Sequence, residues 1–141
     1  VACGARPAEV ADGLYAGKPI CQVKLEGEAL AGVRLHASGK LAEIVVSDEM
    51  YKRFGAGSEH TEELVDSMRE IADVRVALLI YRQAELWKVS MRARGEDLDV
   101  SEVARKFGGG GHRAAAAFRW RKELEELRSA LLPEIEKLLI P

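Results

Sequence analysis

The sequence predicts an α/β domain: a mixed, largely antiparallel sheet of four to five strands covered by helices. Three observations carry that reading. The runs "LAEIVVS", "VRVALLIYR" and "LWKVSMRAR" are rich in β-branched and apolar residues and short enough for strands. Between and after them lie stretches whose apolar residues recur every three to four positions, the spacing of a helix packed on one side. The chain has 141 residues, 48% hydrophobic and 31% charged, enough for one domain with a real core.

In chain order, Pro7 to Ala16 is predicted as a short helix. Pro7 suits its first turn, Val10, Ala11, Leu14 and Tyr15 share a face, and Gly17 stops it. Ile20 to Leu35 is predicted as a second helix with Val23, Leu30 and Val33 among its apolar positions, although Gly27 and Gly32 weaken it. A turn at Ser38-Gly39-Lys40 leads into the strand "LAEIVVS". Asp48 to Phe54 is a short helix ended by Gly55. A helix from about Glu62 follows, with Thr61 as its cap, Glu62 and Glu63 at the positive end of its dipole, and Leu64, Val65, Met68 and Ile71 as its stripe. The next two strands turn near Gln83-Ala84-Glu85 and form an antiparallel hairpin.

Asp99-Val-Ser-Glu102 resembles a capping box with Asp in place of Ser, and opens a two-turn helix with Val100, Val103, Ala104 and Phe107 on one face. "AAAAFRW" ends in aromatics and is predicted as a strand despite alanine's helical leaning. Arg121 to Ile140 is an amphipathic helix with Leu124, Leu127, Leu131, Ile135 and Leu138 on one side. Pro133 removes a backbone donor and is expected to kink or divide it.

No apolar run approaches the roughly 18 residues that span a bilayer. Val1 to Val10 holds Arg6 and Glu9 and lacks the apolar core of a secretory leader. Cys3 and Cys21 form no CxxC pair and read as reduced thiols of a cytoplasmic protein. The histidines His36, His60 and His112 are scattered, without an HExxH or DxD motif, so no metal site is expected within the chain. The net charge of −2 is uneven. Arg82 to Lys122 holds ten Lys/Arg and five Asp/Glu, a balance of +5, and the remainder holds eleven and eighteen, a balance of −7. Such asymmetry suits a face for an anion, or is simply a solvated surface.

The segment "KFGGGGHRAAAAF", Lys106 to Phe118, is the most unusual. Glycines held between a helix end and a strand can turn their amides toward one point and cradle a phosphate, with His112 at the rim. They can equally be a tight helix-to-strand turn. There is no GK[ST], so the run is not a P-loop.

The stretch "VSMRARGEDLDVSEVARKFGGGGHRAAAAF", Val89 to Phe118, resembles the C-terminal substrate-binding domain of the DHH phosphoesterases. A strand arginine, a helix opening near "DVSEIA", then GGGH, two variable residues and two alanines come in that order. The preceding "TEELVDSMREIADVRVALLIY" is similar to the family as well, and the likeness fades over the first 60 residues. One departure is clear: Ala117 stands where the family often has glycine. Within the family the chain looks most like the bacterial oligoribonuclease and phosphoadenosine-phosphate phosphatase group.

The resemblance implies a helical connector over residues 1–36 and a DHH-associated domain over 37–141. It implies that Arg92, Gly109, Gly110, Gly111 and His112 bind substrate phosphate, with Arg113 beside them at a variable position. Ser90 shares the face of Arg92, and Arg94 also falls on it. It also implies that two manganese ions (Mn2+) are bound by a separate catalytic DHH domain in cis, so that the chain is the second half of a two-domain hydrolase, inactive alone. Expected partners are short single-stranded RNA or DNA or a nucleoside bisphosphate, with a homodimer allowed. A tRNA- or partner-binding role, as in the related domain of alanyl-tRNA synthetases, is the alternative. Trp87 and Trp120 are expected to pack rather than to stack bases.

Overall fold

The computed structural model describes residues 4, 6–15 and 17–140, with backbone only at residues 14 and 15. Three predicted features lie outside these described parts: the Cys3 thiol, the side chains of Leu14 and Tyr15 on the first helix, and its last predicted residue, Ala16. Among the described residues six α-helices and six strands follow in the order α1 (Pro7–Tyr15), α2 (Ile20–Ala31), β1 (Arg34–His36), β2 (Leu41–Val46), α3 (Asp48–Phe54), α4 (Leu64–Arg69), β3 (Val76–Gln83), β4 (Leu86–Ala93), α5 (Val100–Lys106), β5 (Gly110–His112), β6 (Ala115–Trp120) and α6 (Leu124–Leu139).

The strands form one sheet in the order β1-β2-β3-β4-β6-β5. Only β2 and β3 run parallel, joined by a crossover through α3 and α4; every other pair is antiparallel. The α/β class and the mixed, mostly antiparallel sheet are as the sequence predicts, with six strands instead of four to five. Both extra strands are three-residue edge pieces. β1 forms because α2 ends at Gly32, which leaves Arg34–His36 free to pair with β2; the predicted helix to Leu35 is therefore too long. β5 is the second half of the glycine run.

Helices cover the sheet unequally, and this positions the site. On one face, α5 and α6 seal a core containing Leu78, Ile80, Val89, Met91, Ala116 and Phe118. α6 contributes Leu127, Leu131, Ile135 and Leu139, one every fourth residue. Burying each such side chain is worth about 1.5–3 kcal/mol. α6 runs unbroken through Pro133. That proline lies on the exposed side, where water can satisfy the carbonyl of Ser129 that its ring leaves without a donor. Trp87 and Trp120 pack against this core, as expected.

On the opposite face, α2, α3 and α4 cover a second core built on Ala42, Ile44, Val46, Ala77, Leu79 and Tyr81, all from β2 and β3. β3 is thus buried on both sides, which is why it reads as a continuous apolar run. In β6 burial alternates along most of the strand, and in β4 it alternates from Lys88 onward. On this face α4 also reaches β4, its Asp66 lying 3.8 Å from Arg92, and the part made by β6 and β5 carries no helix among the described residues.

Two local details differ from the sequence reading. Thr61 is not a helix cap: residues 61–63 form a turn, α4 starts at Leu64, and the fully buried Thr61 hydroxyl lies 3.1 Å from the Tyr51 hydroxyl. Asp99 does cap α5, its Oδ1 accepting from the Ser101 amide at 3.0 Å.

Across the sheet, the Glu43 side chain is completely buried between Arg128 and His36. Arg128 of α6 donates to it from Nε at 2.7 Å and from Nη2 at 3.0 Å, and His36 Nε2 lies 2.8 Å from its Oε2. This cluster joins β1, β2 and the C-terminal helix.

Candidate functional site

The register of the antiparallel strands decides which residues share the uncovered face. Directly opposed residues point the same way. Arg92 of β4 opposes Ala115 of β6, which opposes His112 of β5; Ser90 opposes Ala117, which opposes Gly110; Lys88 opposes Arg119. The open face therefore carries Lys88, Arg92, Arg119 and His112 above a floor of Ser90, Ala115, Ala117 and Gly110. Cations stand around a patch almost without side chains. A cavity of about 330 Å³ lies there, with Glu62 and Tyr81 on its far wall. A second, of about 320 Å³, continues past Lys88 and Ala117 toward Gly108, Gly109 and Arg119.

The glycine run has three tasks. Gly108, at φ +78°, takes the left-handed conformation that ends α5. Its amide bonds the Arg105 carbonyl at 3.1 Å and that of Gly109 bonds the Ala104 carbonyl at 2.9 Å, a Schellman closure. The expected cradle of converging amides is corrected accordingly. Two of the four amides end a helix, and Gly110–His112 is an edge strand paired with β6 through a two-residue turn at Arg113-Ala114.

Gly109 and Gly111 are required by packing. A Cβ on Gly109 would lie 2.2 Å from the Ala117 carbonyl oxygen, and one on Gly111, at φ +142°, 2.4 Å from that of Ala115. Gly110 differs: a Cβ there would meet nothing within 4 Å. Packing does not require its missing side chain, which leaves the cleft floor bare. Gly109→Ala should therefore cost about 1–3 kcal/mol by overpacking, while Gly110→Ala should stay within about 0.5 kcal/mol of wild type. Urea unfolding of the two variants measures the contrast.

Arg92 lies in the cavity wall with loosely held donors. Its Nη1 reaches Ser90 Oγ at 3.4 Å and the Met91 carbonyl at 3.2 Å, and its Nε is 3.8 Å from Asp66 Oδ1. Most of the fork is available to an anion. Lys88 donates to Glu62 Oε1 at 3.0 Å, and the Tyr81 hydroxyl donates to the same oxygen at 3.1 Å. The Tyr81 hydroxyl and the Glu62 carboxylate hold the Lys88 ammonium above its usual range, and Lys88 in turn holds Glu62 below the usual carboxylate range. Burial raises the Tyr81 phenol. At neutral pH the wall thus presents an ammonium, a guanidinium, a carboxylate and a neutral phenol.

Of the sequence-predicted residues, Arg92, Gly110 and Gly111 line the first cavity and Gly109 the second. His112 stands exposed at the rim, on the face of Arg92. Arg113 is directed elsewhere: it donates to the Glu96 carbonyl at 2.9 Å and lies 3.6 Å from Asp99 Oδ2, bracing the turn before α5. Arg94 lies beyond β4 and reaches the Arg69 carbonyl. The sequence reading omitted Lys88, Tyr81 and Glu62. Lys88 was accessible to it, since it precedes Ser90 and Arg92 by steps of two on the same strand.

Among the described residues, no three His, Cys, Asp or Glu side chains gather as metal ligands. The manganese implied by the resemblance has no fitting ligand set among the described residues. No described helix is long and apolar enough to cross a membrane.

A family model described as the DHHA1 domain matches residues 37–139. The chain belongs to the DHHA1 domain family. A curated relative, the bifunctional oligoribonuclease and PAP phosphatase NrnA of Thermus thermophilus, is 31% identical over 113 residues, which is 80% of this chain and 33% of that protein. The chain thus spans about a third of the length of the curated relatives it matches. Among solved structures, an exopolyphosphatase-related protein from Bacteroides fragilis superposes with a TM-score of 0.88 at 21% identity, over 98% of this chain and 42% of that one. The C-Ala domain of Aquifex aeolicus alanyl-tRNA synthetase matches with a TM-score of 0.52 at 17% identity, over 70% of this chain and 89% of that one. At these identities both structures speak for the DHHA1 fold alone. The glycine run and the Arg92 strand both lie within the matched DHHA1 residues.

Proposed function

We propose that this DHHA1 domain holds the substrate of a phosphoesterase that acts on short oligonucleotides or nucleoside phosphates. Phosphate rests on the open half of the sheet, gripped by Arg92 and Lys88 and admitted by the bare backbone at Gly110. The observation that carries this reading is the joining of cations to a floor of small residues, Ser90, Ala115, Ala117 and Gly110. A guanidinium fork gives a phosphate two parallel hydrogen bonds, and a small-residue floor lets it approach closely. The name of the Thermus relative, an oligoribonuclease and PAP phosphatase, supports the substrate class. Bond cleavage, with manganese as the metal, falls in this reading to a DHH module outside this chain. The contribution of the residues described here is to bind and orient the ligand.

The test is Gly110→Val in the intact protein with a short oligoribonucleotide and with phosphoadenosine phosphate. The new side chain enters the cleft while the fold has room for it. KM should rise about tenfold with kcat and the thermal midpoint nearly unchanged, the pattern of lost uniform binding. Unchanged KM for both substrates removes the cleft from substrate binding. Tight binding of folded tRNA with a steep salt dependence would favour a tRNA-binding role instead.

A further inference from the structure

We propose that Glu62 is a specificity-determining residue: its carboxylate takes a hydrogen bond from a hydroxyl or amino group of the same phosphate ester whose phosphate rests on Arg92 and Lys88. This rests on the anion-binding reading of the cleft and narrows the ligand class to phosphate esters that also carry a hydrogen-bond donor.

A pocket that only gripped phosphate would be better without Glu62. A fixed negative charge in the wall repels the ligand and occupies one of the two cations. In the fold it accepts from the hydroxyl of buried Tyr81 and pairs with Lys88, tasks that use only one of its two oxygens. Its side chain is 63% exposed, it precedes the first residue of α4, and it neither caps that helix nor joins either core. Yet it is held firmly. Lys88 and Tyr81 both donate to Oε1, at 3.0 and 3.1 Å. Among the described residues Oε2 accepts from no protein donor. One oxygen is pinned and the other is left to solvent, in the wall of the cavity that also holds Arg92, Ser90 and Gly110. Such an acceptor takes a hydrogen bond from a ligand without reorganising.

The wall is therefore two-signed. Strand β4 offers the cations, and the segment leading into α4 offers the carboxylate. Bare phosphate satisfies the first and is repelled by the second. An ester with a neighbouring donor satisfies both. A sugar hydroxyl and a base amino group are the two sources of that donor, and different ligands separate them.

The experiment is calorimetric titration of the intact protein and its Glu62→Gln variant with three ligands. Methyl phosphate carries no such donor, ribose 5-phosphate carries hydroxyls, and 2′,3′-dideoxyadenosine 5′-phosphate carries only the base amino group. Glu62→Gln keeps the shape and removes the charge. We expect it to bind methyl phosphate as well as wild type or better, and to bind at least one donor-bearing ester about fivefold more weakly. The ester that loses affinity identifies the donor. Equal shifts for all three ligands would reduce Glu62 to a counter-charge and overturn its role while leaving the anion cleft intact. If wild type binds none of them, the anion cleft itself falls, and Glu62 with it.

Discussion

Arg92→Ala is expected to lower kcat/KM for a short oligonucleotide about ten- to hundredfold in the intact protein, with the thermal midpoint hardly moved. A charge-assisted hydrogen bond contributes about 1.5–3 kcal/mol, and the Arg92 fork can make two to one phosphate. Its present partners are weak ones, Ser90 Oγ at 3.4 Å and a carboxylate at 3.8 Å. Removing the side chain thus strands no buried charge, and the stability change should stay within about 0.5 kcal/mol. Arg92→Lys restores charge but not the planar fork, so it should recover only part of the loss. A wild-type kcat/KM in Arg92→Ala, with confirmed folding, would place the phosphate elsewhere.

Glu43→Ala should have the largest effect on stability, about 3–5 kcal/mol. The carboxylate is fully buried and holds Arg128, only 17% exposed, through two hydrogen bonds. Deleting it leaves a mostly desolvated guanidinium with only the exposed Glu125, at 3.3 Å, the costly way to break an internal ion pair. For a domain of this size each kcal/mol lowers the melting midpoint by roughly 2–4 °C, so a fall of about 10 °C or more is expected. The double variant Glu43→Leu/Arg128→Met, which removes both charges and keeps apolar volume, should recover most of the loss. A Glu43→Ala protein melting within a degree of wild type would mean that Arg128 finds water instead. Because the cluster lies on the face opposite the cleft, ligand affinity should survive in whatever fraction stays folded.

Elements that announce themselves through side-chain pattern were legible in the sequence. β3 is apolar throughout because both its faces are covered, α6 repeats its leucines, and α3 is bracketed by acidic residues and Gly55. The two short edge strands were not legible. β1 looked like the tail of a helix. β5 consists of two glycines and a histidine, with no side-chain alternation to read, and owes its existence to pairing with β6. The same applies to the site. Arg92 and the glycines lie in one contiguous motif, and period-two spacing extends the reading to Lys88. Glu62 and Tyr81 reach the cleft only through tertiary packing, from a segment about thirty residues upstream and from the neighbouring strand. Arg113 was misleading because adjacency to the loop says nothing of direction; it turns toward the start of α5.

The Schellman closure at Gly108 and Gly109 has a consequence for affinity. It welds the cleft floor to the end of a packed helix, so those main-chain atoms surrender their conformational entropy when the protein folds and not when a ligand arrives. If the cleft holds a nucleotide as proposed, the ligand meets main chain that is already ordered, and binding costs little further backbone entropy.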